Sequence, residues 1–416
     1  MAKKRHVIIG NGAAGISAAE ALRAEDPQAS ITVVSDEPHA AYSKVLLHYY
    51  IDSQIPEKGL FIRSDQFYRE LRIETVLGAK VEAIRPDEQR ISLDDGTQIA
   101  FDTLLIATGS LPHVPPVDGL ESAGVSTMWT LADARGIRRV LKNSRAGIVI
   151  GGSFVGMQAL DTLARRGVRV SVVDVAERIM PNILDRQGSE VLRSFLADRG
   201  VAFFLGVQSD RIRVSDGRKK KLALTDGREI SADICILAAG ARPNIGFAAN
   251  TPLRINRGVV VDEYLQSNYP NIFAAGDVAE VFDRLSGERR VFGLWSTAVA
   301  QGAIAGMNMA GKKVAYPGGI DINTTAVLGL PVMTIGRTNA DESAENITVK
   351  IFQDPGKRIY RKFILKDEKM VGAILMGHVD DGGLIGSLIR SEAACDPLQS
   401  RYSMGSFRHR LNYVIR

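Results

Sequence analysis

The stretch that decides the fold is Val7-Ile8-Ile9-Gly10-Asn11-Gly12-Ala13-Ala14-Gly15-Ile16. Three apolar β-formers run into Gly-x-Gly-x-x-Gly, a helical pattern extends from Ile16 to Ala24, and a second strand follows at Ile31-Thr32-Val33-Val34. A glycine turn between strand and helix, inside one βαβ unit, is a dinucleotide-binding fingerprint. Gly10 allows the tight turn, Gly12 lets a pyrophosphate approach the backbone, and Gly15 lets helix and strand pack closely. The helix start around Ala14 offers free N–H groups and a favourable dipole to the phosphates. An acid closing the second strand should hold a ribose hydroxyl. Ser35-Asp36-Glu37 offers Asp36 one step late, with Glu37 as the fallback.

The pattern repeats. Gly147-Ile148-Val149-Ile150 leads to Gly151-Gly152-Ser153-Phe154-Val155-Gly156, then a helix from Met157 to Arg166 and a strand from Arg169 to Val173. Here Val155 takes the place of Ala14 and Ser153 that of the middle glycine. The Ser153 side chain therefore has to point away from the pyrophosphate or crowd it, with Gly152 returning some of the lost freedom. Asp174 stands at the strand end, 18 residues past Gly156. A carboxylate there accepts from the 2′-hydroxyl of NAD and repels the 2′-phosphate of NADP. Nearby Arg178 leaves NADP open. After each unit comes a hairpin (Ile91 to Gly96; Leu222 to Gly227) and an apolar strand ending in Ala107-Thr108-Gly109 or Ala238-Ala239-Gly240. Pro112, Pro115, Pro116 and Pro243 punctuate the borders. From about Ile320 the pattern changes to short strands and hairpins (Val327 to Ile335, Ile359 to Leu365, Met370 to Met376) and a closing helix from Leu384.

At 416 residues, 45% hydrophobic and 24% charged, the chain reads as globular with two or three domains. The net charge of +5 suits an acidic protein partner or anionic cofactors. The dense run Arg218-Lys219-Lys220-Lys221 lies between Asp-Gly pairs and reads as an exposed hairpin, not a nucleic-acid site. Only two cysteines occur, Cys235 and Cys395, without CxxC or metal-ligand spacing. The chain should thus carry no iron–sulfur cluster or disulfide framework, which fits a reducing cytoplasm. Cys235, in an apolar run, reads as a small buried hydrophobe. Lys3-Lys4-Arg5 and the residues to Ala21 imitate a secretory signal, but they also complete the first βαβ unit. No stretch of 18 uninterrupted apolar residues predicts a membrane span. His6, His39, His48, His113, His378 and His409 show no metal spacing or base–nucleophile pairing, so none is assigned a catalytic role.

Two fingerprints, Ala107-Thr108-Gly109, Ala239-Gly240-Ala241-Arg242-Pro243 and Ile272-Phe273-Ala274-Ala275-Gly276-Asp277 together resemble the two-dinucleotide flavoprotein family that includes glutathione reductase. The resemblance implies FAD at the first fingerprint, NAD at the second, and an Asp277 that binds the ribityl chain. Tyr42-Ser43-Lys44 is similar to rubredoxin reductases and to the flavin module of assimilatory nitrite reductase, and implies that Lys44 lies beside the flavin. Val81 matches a valine contacting the adenine, and Trp295 a position contacting the isoalloxazine. Each also has a plain reading, Lys44 as a solvated charge, Asp277 as a helix cap and Trp295 as ordinary core, and the functional reading is preferred for the first two. The carboxyl-terminal Tyr360-Arg361-Lys362 to Leu375 is similar to the small interface domain after this module in nitrite reductases. Three departures stand out: Ala40 to Tyr50 holds no cysteine, Trp129 stands where ferredoxin-type members place arginine, and Gln158 replaces a glutamate beside the nicotinamide.

The expected fold class is α/β, with two Rossmann-like dinucleotide-binding domains and a C-terminal α+β interface domain. The expected segments are 1–116 and 246–319 for FAD, 117–245 for NAD and 320–416 for the interface. The expected function is an FAD-dependent NADH oxidoreductase serving an iron–sulfur protein or the subunits of a larger redox complex. A narrower expectation is the NAD-linked flavin subunit of an anaerobic 2-oxoacid:acceptor complex such as phenylglyoxylate dehydrogenase. The alternatives are a self-sufficient NADH oxidase and a structural flavoprotein subunit with a decayed NAD site. The C-terminal segment is expected to pair either with another subunit or with a second copy of the chain.

Overall fold

A computed structural model describes residues 3–215, 219–248, 251–340 and 343–393. The described chain groups into two compact units. The first comprises Met1–Leu46, Ile55–Leu111 and Ala241–Ile320, and the second Leu47–Gln54, Pro112–Gly240 and Asp321–Arg416. The carboxyl-terminal segment thus joins the second fingerprint in one unit. Cys395, His409 and Arg218 lie outside the described residues.

In the first unit, five parallel strands take the order Ile73–Leu77, Ser30–Ser35, Arg5–Ile9, Thr103–Ile106, Ile272–Ala274. The chain starts at the centre, moves outward, then returns to the other side, so the sheet has a switch point beside the first strand. These strands read as continuous apolar runs because helices cover the sheet and little of their surface meets water. The helix Ala13–Glu25 begins three residues before its apolar pattern, since the glycine turn supplies its first turn. It packs against Trp295–Met309 at unusually close range. A side-chain carbon on Gly302 would overlap the Ala14 carbonyl, and one on Gly306 would overlap that of Ala18. Glycines four residues apart lie on one helix face, so they let the two backbones touch.

The second unit repeats the sheet. Its parallel order is Ala202–Leu205, Arg169–Asp174, Ala146–Ile150, Ile234–Leu237, Ser126–Thr127. Each sheet has its own three-stranded antiparallel meander inserted before the strand that ends in the small-Gly pair. The first meander is Val81–Arg85, Arg90–Leu93 and Gln98–Ala100; the second is Ser209–Ser215, Lys219–Leu224 and Glu229–Ala232. Lys220 and Lys221 do not simply face solvent. Lys220 donates to the Ala123 carbonyl at 2.6 Å, and Lys221 lies 3.7 Å from Glu229.

The segment after Asp321 folds into a five-stranded antiparallel sheet, ordered Ile322–Val327, Leu330–Gly336, Lys369–Met376, Ile359–Lys366, Ile347–Asp354, with the helix Gly382–Ser391. Of the strands and hairpins expected here, the stretch Val327 to Ile335 holds the end of one strand and most of the next, because the chain reverses at Leu328 and Gly329, both with positive φ. Buried charges pin this segment to the rest of its unit. The Asp185 carboxylate accepts from Tyr360 (2.6 Å), Lys362 (2.9 Å) and the Gly188 N–H (2.8 Å). A buried lysine needs such a counter-ion, since an unpaired charge away from water is strongly destabilising. Among the described residues no helix is long and apolar enough to cross a membrane, and no cluster of side chains could hold a metal ion.

Candidate functional site: two glycine-turn cradles

The two cradles are built alike from the same local physics. Gly10 (φ +117°) and Gly151 (φ +110°) adopt a backbone that other residues rarely enter. A side chain at Gly10 would strike the Ala107 carbonyl and one at Gly151 the Ala238 carbonyl, so both turns lie directly on the neighbouring strand end. Each turn is also tied to the second strand: Gly10 N–H donates to Val34 C=O and Gly151 N–H to Val173 C=O, both at 2.8 Å. Gly15 and Gly156 tuck against the carbonyls of Gly10 and Gly151.

In the first cradle the space next to Gly12 is open, with no atom within 4 Å of where a side chain would start. Gly12 is the helix N-cap and contributes no side-chain cap, and the first intrahelical bond runs from Ile16 N–H to Gly12 C=O at 3.0 Å. Amides at the helix start are thereby left for an anion, and a pyrophosphate fits. Ala14 itself is buried, its carbonyl against Gly302.

Because Gly10 and Gly151 bond to Val34 and Val173, the structural counterpart of Asp174 is Ser35. Asp36 is exposed, whereas Glu37 is half-buried and engaged. Its carboxylate accepts from the Tyr42 hydroxyl (2.6 Å) and pairs with Lys44 (3.1 Å). Glu37, the fallback acid, is the one of the two that neighbouring side chains hold, and Lys44 is ion-paired while remaining exposed. Neither connection was legible in the sequence.

Asp277 lies on the same unit. Ser110 donates to it at 2.8 Å, burial pushes its carboxyl above the ordinary aspartate value, and the Ser110 bond and the Lys44 charge oppose that rise. A half-buried carboxylate that accepts from one serine hydroxyl is suited to accept another hydroxyl, as a ribityl chain would supply. Thr108 donates to the Asn244 carbonyl at 2.8 Å, and the carbonyl of the next residue, Gly109, accepts from Asn244 N–H at 2.9 Å. These bonds join the small-Gly loop to the segment after Ala241. Val81 is buried in the core and paired with Leu93. Trp295 is half-buried as the first residue of its helix.

In the second cradle Ser153 settles its own question. Its hydroxyl donates to the Ala238 carbonyl (2.8 Å) and accepts from Gly156 N–H (3.3 Å), making it the helix N-cap. The side chain is folded into the turn and away from the phosphate space. Gly152 does not supply slack, because a side chain there would press on Ile179 and the Asp174 carboxylate. Asp174 accepts from Gly152 N–H (2.5 Å) and Ala176 N–H (2.8 Å), which fixes it beside the turn. Arg178 donates to Pro181 C=O at 2.9 Å, within its own loop. Val155 is half-buried at the helix start, Gly240 has φ +107°, and the Gln158 carbonyl accepts from Thr162. Trp129 contributes its backbone N–H to the Asp133 carboxylate at 3.1 Å. Cys235 is fully buried in the sheet, and burial pushes its thiol up to about 12.

Fold and cradles define a nucleotide-binding oxidoreductase. Residues 4–302 match the pyridine nucleotide-disulphide oxidoreductase family, and the chain belongs to it. Members of this family bind FAD and NAD(H). Residues 322–393 match the rubredoxin NAD+ reductase C-terminal domain. The chain is 31% identical over 396 residues to nitrite reductase [NAD(P)H] of Bacillus subtilis, covering 94% of this chain and 48% of that protein, so it spans about half of that relative. It is 26% identical over 400 residues to the epsilon subunit of NADH-dependent phenylglyoxylate dehydrogenase of Aromatoleum evansii, covering 96% and 94%. Among solved structures, putidaredoxin reductase in its covalent complex with putidaredoxin shares the fold. The TM-score is 0.88 at 23% identity, covering 96% and 95% of the two chains.

Proposed function

We propose that this chain is an NADH-linked, FAD-dependent reductase that passes electrons to an iron–sulfur partner as one module of a larger redox assembly in the cytoplasm. FAD belongs in the first cradle, held by Gly10, Gly12 and Gly15 at the pyrophosphate, Glu37 at the ribose and Asp277 at the ribityl chain. NADH belongs in the second, held by the Gly151–Gly156 turn and Asp174. When bound, FAD can take a hydride from a nicotinamide and release two electrons singly. The protein's part is to bind, orient and exclude water. No side chain here is asked to transfer a proton.

One observation carries the reading. The family's name refers to a disulphide, yet no cysteine stands between Ala40 and Tyr50, and Cys235 is a buried, protonated thiol in the other unit. Electrons then need an external acceptor. The relatives named for nitrite reductase and for a dehydrogenase subunit support this. The inward Ser153 hydroxyl argues against a decayed NAD site, since its side chain does not enter the phosphate space. The test offers NADH with either a two-iron ferredoxin coupled to cytochrome c or with air alone. Ferredoxin-dependent turnover well above oxygen uptake is expected. Rapid, unaided oxygen reduction would overturn the reading in favour of an NADH oxidase.

A further inference from the structure

Between Arg135 and Arg169 the chain holds seven arginines, one lysine and a single acid, a net +7 against +5 for all 416 residues. The acid, Asp161, is buried and paired with Arg165 at 2.7 Å. All of these residues belong to the second unit, and topology gathers most of them in one place. The helix Leu131–Leu141 joins the strand Ser126–Thr127 to Ala146–Ile150, and the helix Phe154–Arg165 joins Ala146–Ile150 to Arg169–Asp174. Both crossovers run in the same direction across a parallel sheet, so right-handedness puts both helices on one face. Their carboxyl ends therefore meet at the sheet's amino edge, opposite the glycine turn.

Arg138, Arg139 and Lys142 end the first helix, Arg165 and Arg166 end the second, Arg145 immediately precedes one strand and Arg169 begins the next. Arg169 N–H donates to Arg145 C=O at 2.9 Å, which places those two side by side. Two further acids lie close: Asp233, whose carboxylate is already taken by the backbone N–H groups of Arg145 and Ala146, and Asp52, whose charge acts on Arg165. Arg138 lies over the Tyr50 ring at 4.6 Å. Arg139, Lys142, Arg166 and Arg169 are exposed and have no ion pair among the described residues. Basic groups in a helix's last turn complement its dipole, which accounts for two or three of them. It does not account for the unpaired charges in the loops, nor for Val140, which is 47% exposed between Arg139 and Lys142.

We propose, on the footing that the chain works inside a larger redox assembly, that this edge is the anchoring surface for an acidic face of a partner protein subunit. Arginine's planar fork suits bidentate pairing with carboxylates, and arginine with an apolar neighbour is the composition of protein interfaces. No broad apolar face accompanies the charges, as insertion into a lipid surface would need. The edge lies opposite the glycine turn of its own sheet, and the role assigned to it is anchoring.

The test uses the full chain purified with its native subunits from the organism that makes it. A zero-length carbodiimide joins carboxylates to amines, and Lys142 is the only lysine between Arg135 and Arg169. A cross-link from Lys142 to an aspartate or glutamate of an identified partner is expected. The R139E/K142E/R166E variant should lose that partner, with affinity reduced roughly tenfold or more at low salt and less at high salt. Its NADH-to-dye activity and FAD content should be unchanged, which shows that it folds. A partner retained by the variant and cross-linked elsewhere would overturn the proposal while leaving the assembly intact. Association abolished by nuclease, or binding to phosphatidylglycerol vesicles, would assign the surface to nucleic acid or lipid. Absence of any stable partner for the unaltered chain would overturn the assembly as well.

Discussion

Ser153→Gly separates two accounts of the second cradle. In the structure the Ser153 hydroxyl bonds inward to Ala238 C=O and Gly156 N–H, so removing it takes nothing from the phosphate space. Serine to glycine at an N-cap costs a few tenths of a kcal/mol, and serine to alanine about 1 kcal/mol. For a chain of this size, the alanine variant should melt about 2 °C lower and the glycine variant within about 1 °C of the parent. NADH affinity should move by less than about threefold in the glycine variant, because less than about 0.7 kcal/mol is at stake. Stopped-flow flavin reduction at varied NADH gives that affinity directly. If the serine instead crowds the pyrophosphate, glycine would tighten NADH tenfold or more. That gain, without a change in melting temperature, would refute the inward placement.

Asp174→Asn keeps an acceptor for Gly152 N–H but removes the charge. NADH should weaken about tenfold, one charge-assisted bond's worth, while NADPH improves, read as KM for each. Cys235 should make alkaline stability pH-dependent. Its folded thiol ionises near 12 and an unfolded one near 9, so the unfolded chain alone sheds the proton between those values. Stability from this group is intact below pH 9 and falls by about 1.4 kcal/mol per pH unit above it. Urea melts at pH 8 and 10.5 should show the loss, and Cys235→Ala should lessen it. Gly302→Val should push the two helices of the first unit apart, costing about 1–3 kcal/mol and lowering FAD content, measured by released flavin.

Much of the fold was legible because a glycine fingerprint fixes three things at once: a strand before it, a helix after it and an open anion site. The duplication made the second cradle readable even with Ser153 in it. What escaped were features that depend on register or on distant partners. Asp36 and Glu37 are adjacent in sequence, and only the hydrogen bonds show that Glu37 is the one held by Tyr42 and Lys44. The Glu37–Tyr42–Lys44 cluster needs the chain to turn back over five to seven residues, which periodicity does not report. The position of the turn at Leu328–Gly329 is unmarked because its flanks are apolar on both sides and no Asn-Gly or Asp-Gly stands there. The basic edge escaped because its residues are spread over 35 positions and only the sheet topology collects them.

The central claim is that one FAD sits in the first cradle and is reduced by NADH bound in the second. The most direct measurement is anaerobic titration of the purified, flavin-loaded chain with NADH, following the flavin's visible absorbance. Full bleaching at about one NADH per FAD is predicted, with NADPH much less effective, and reoxidation on adding an oxidised ferredoxin. A chain that is colourless after gentle purification, or a bound flavin that NADH leaves oxidised, would contradict the account.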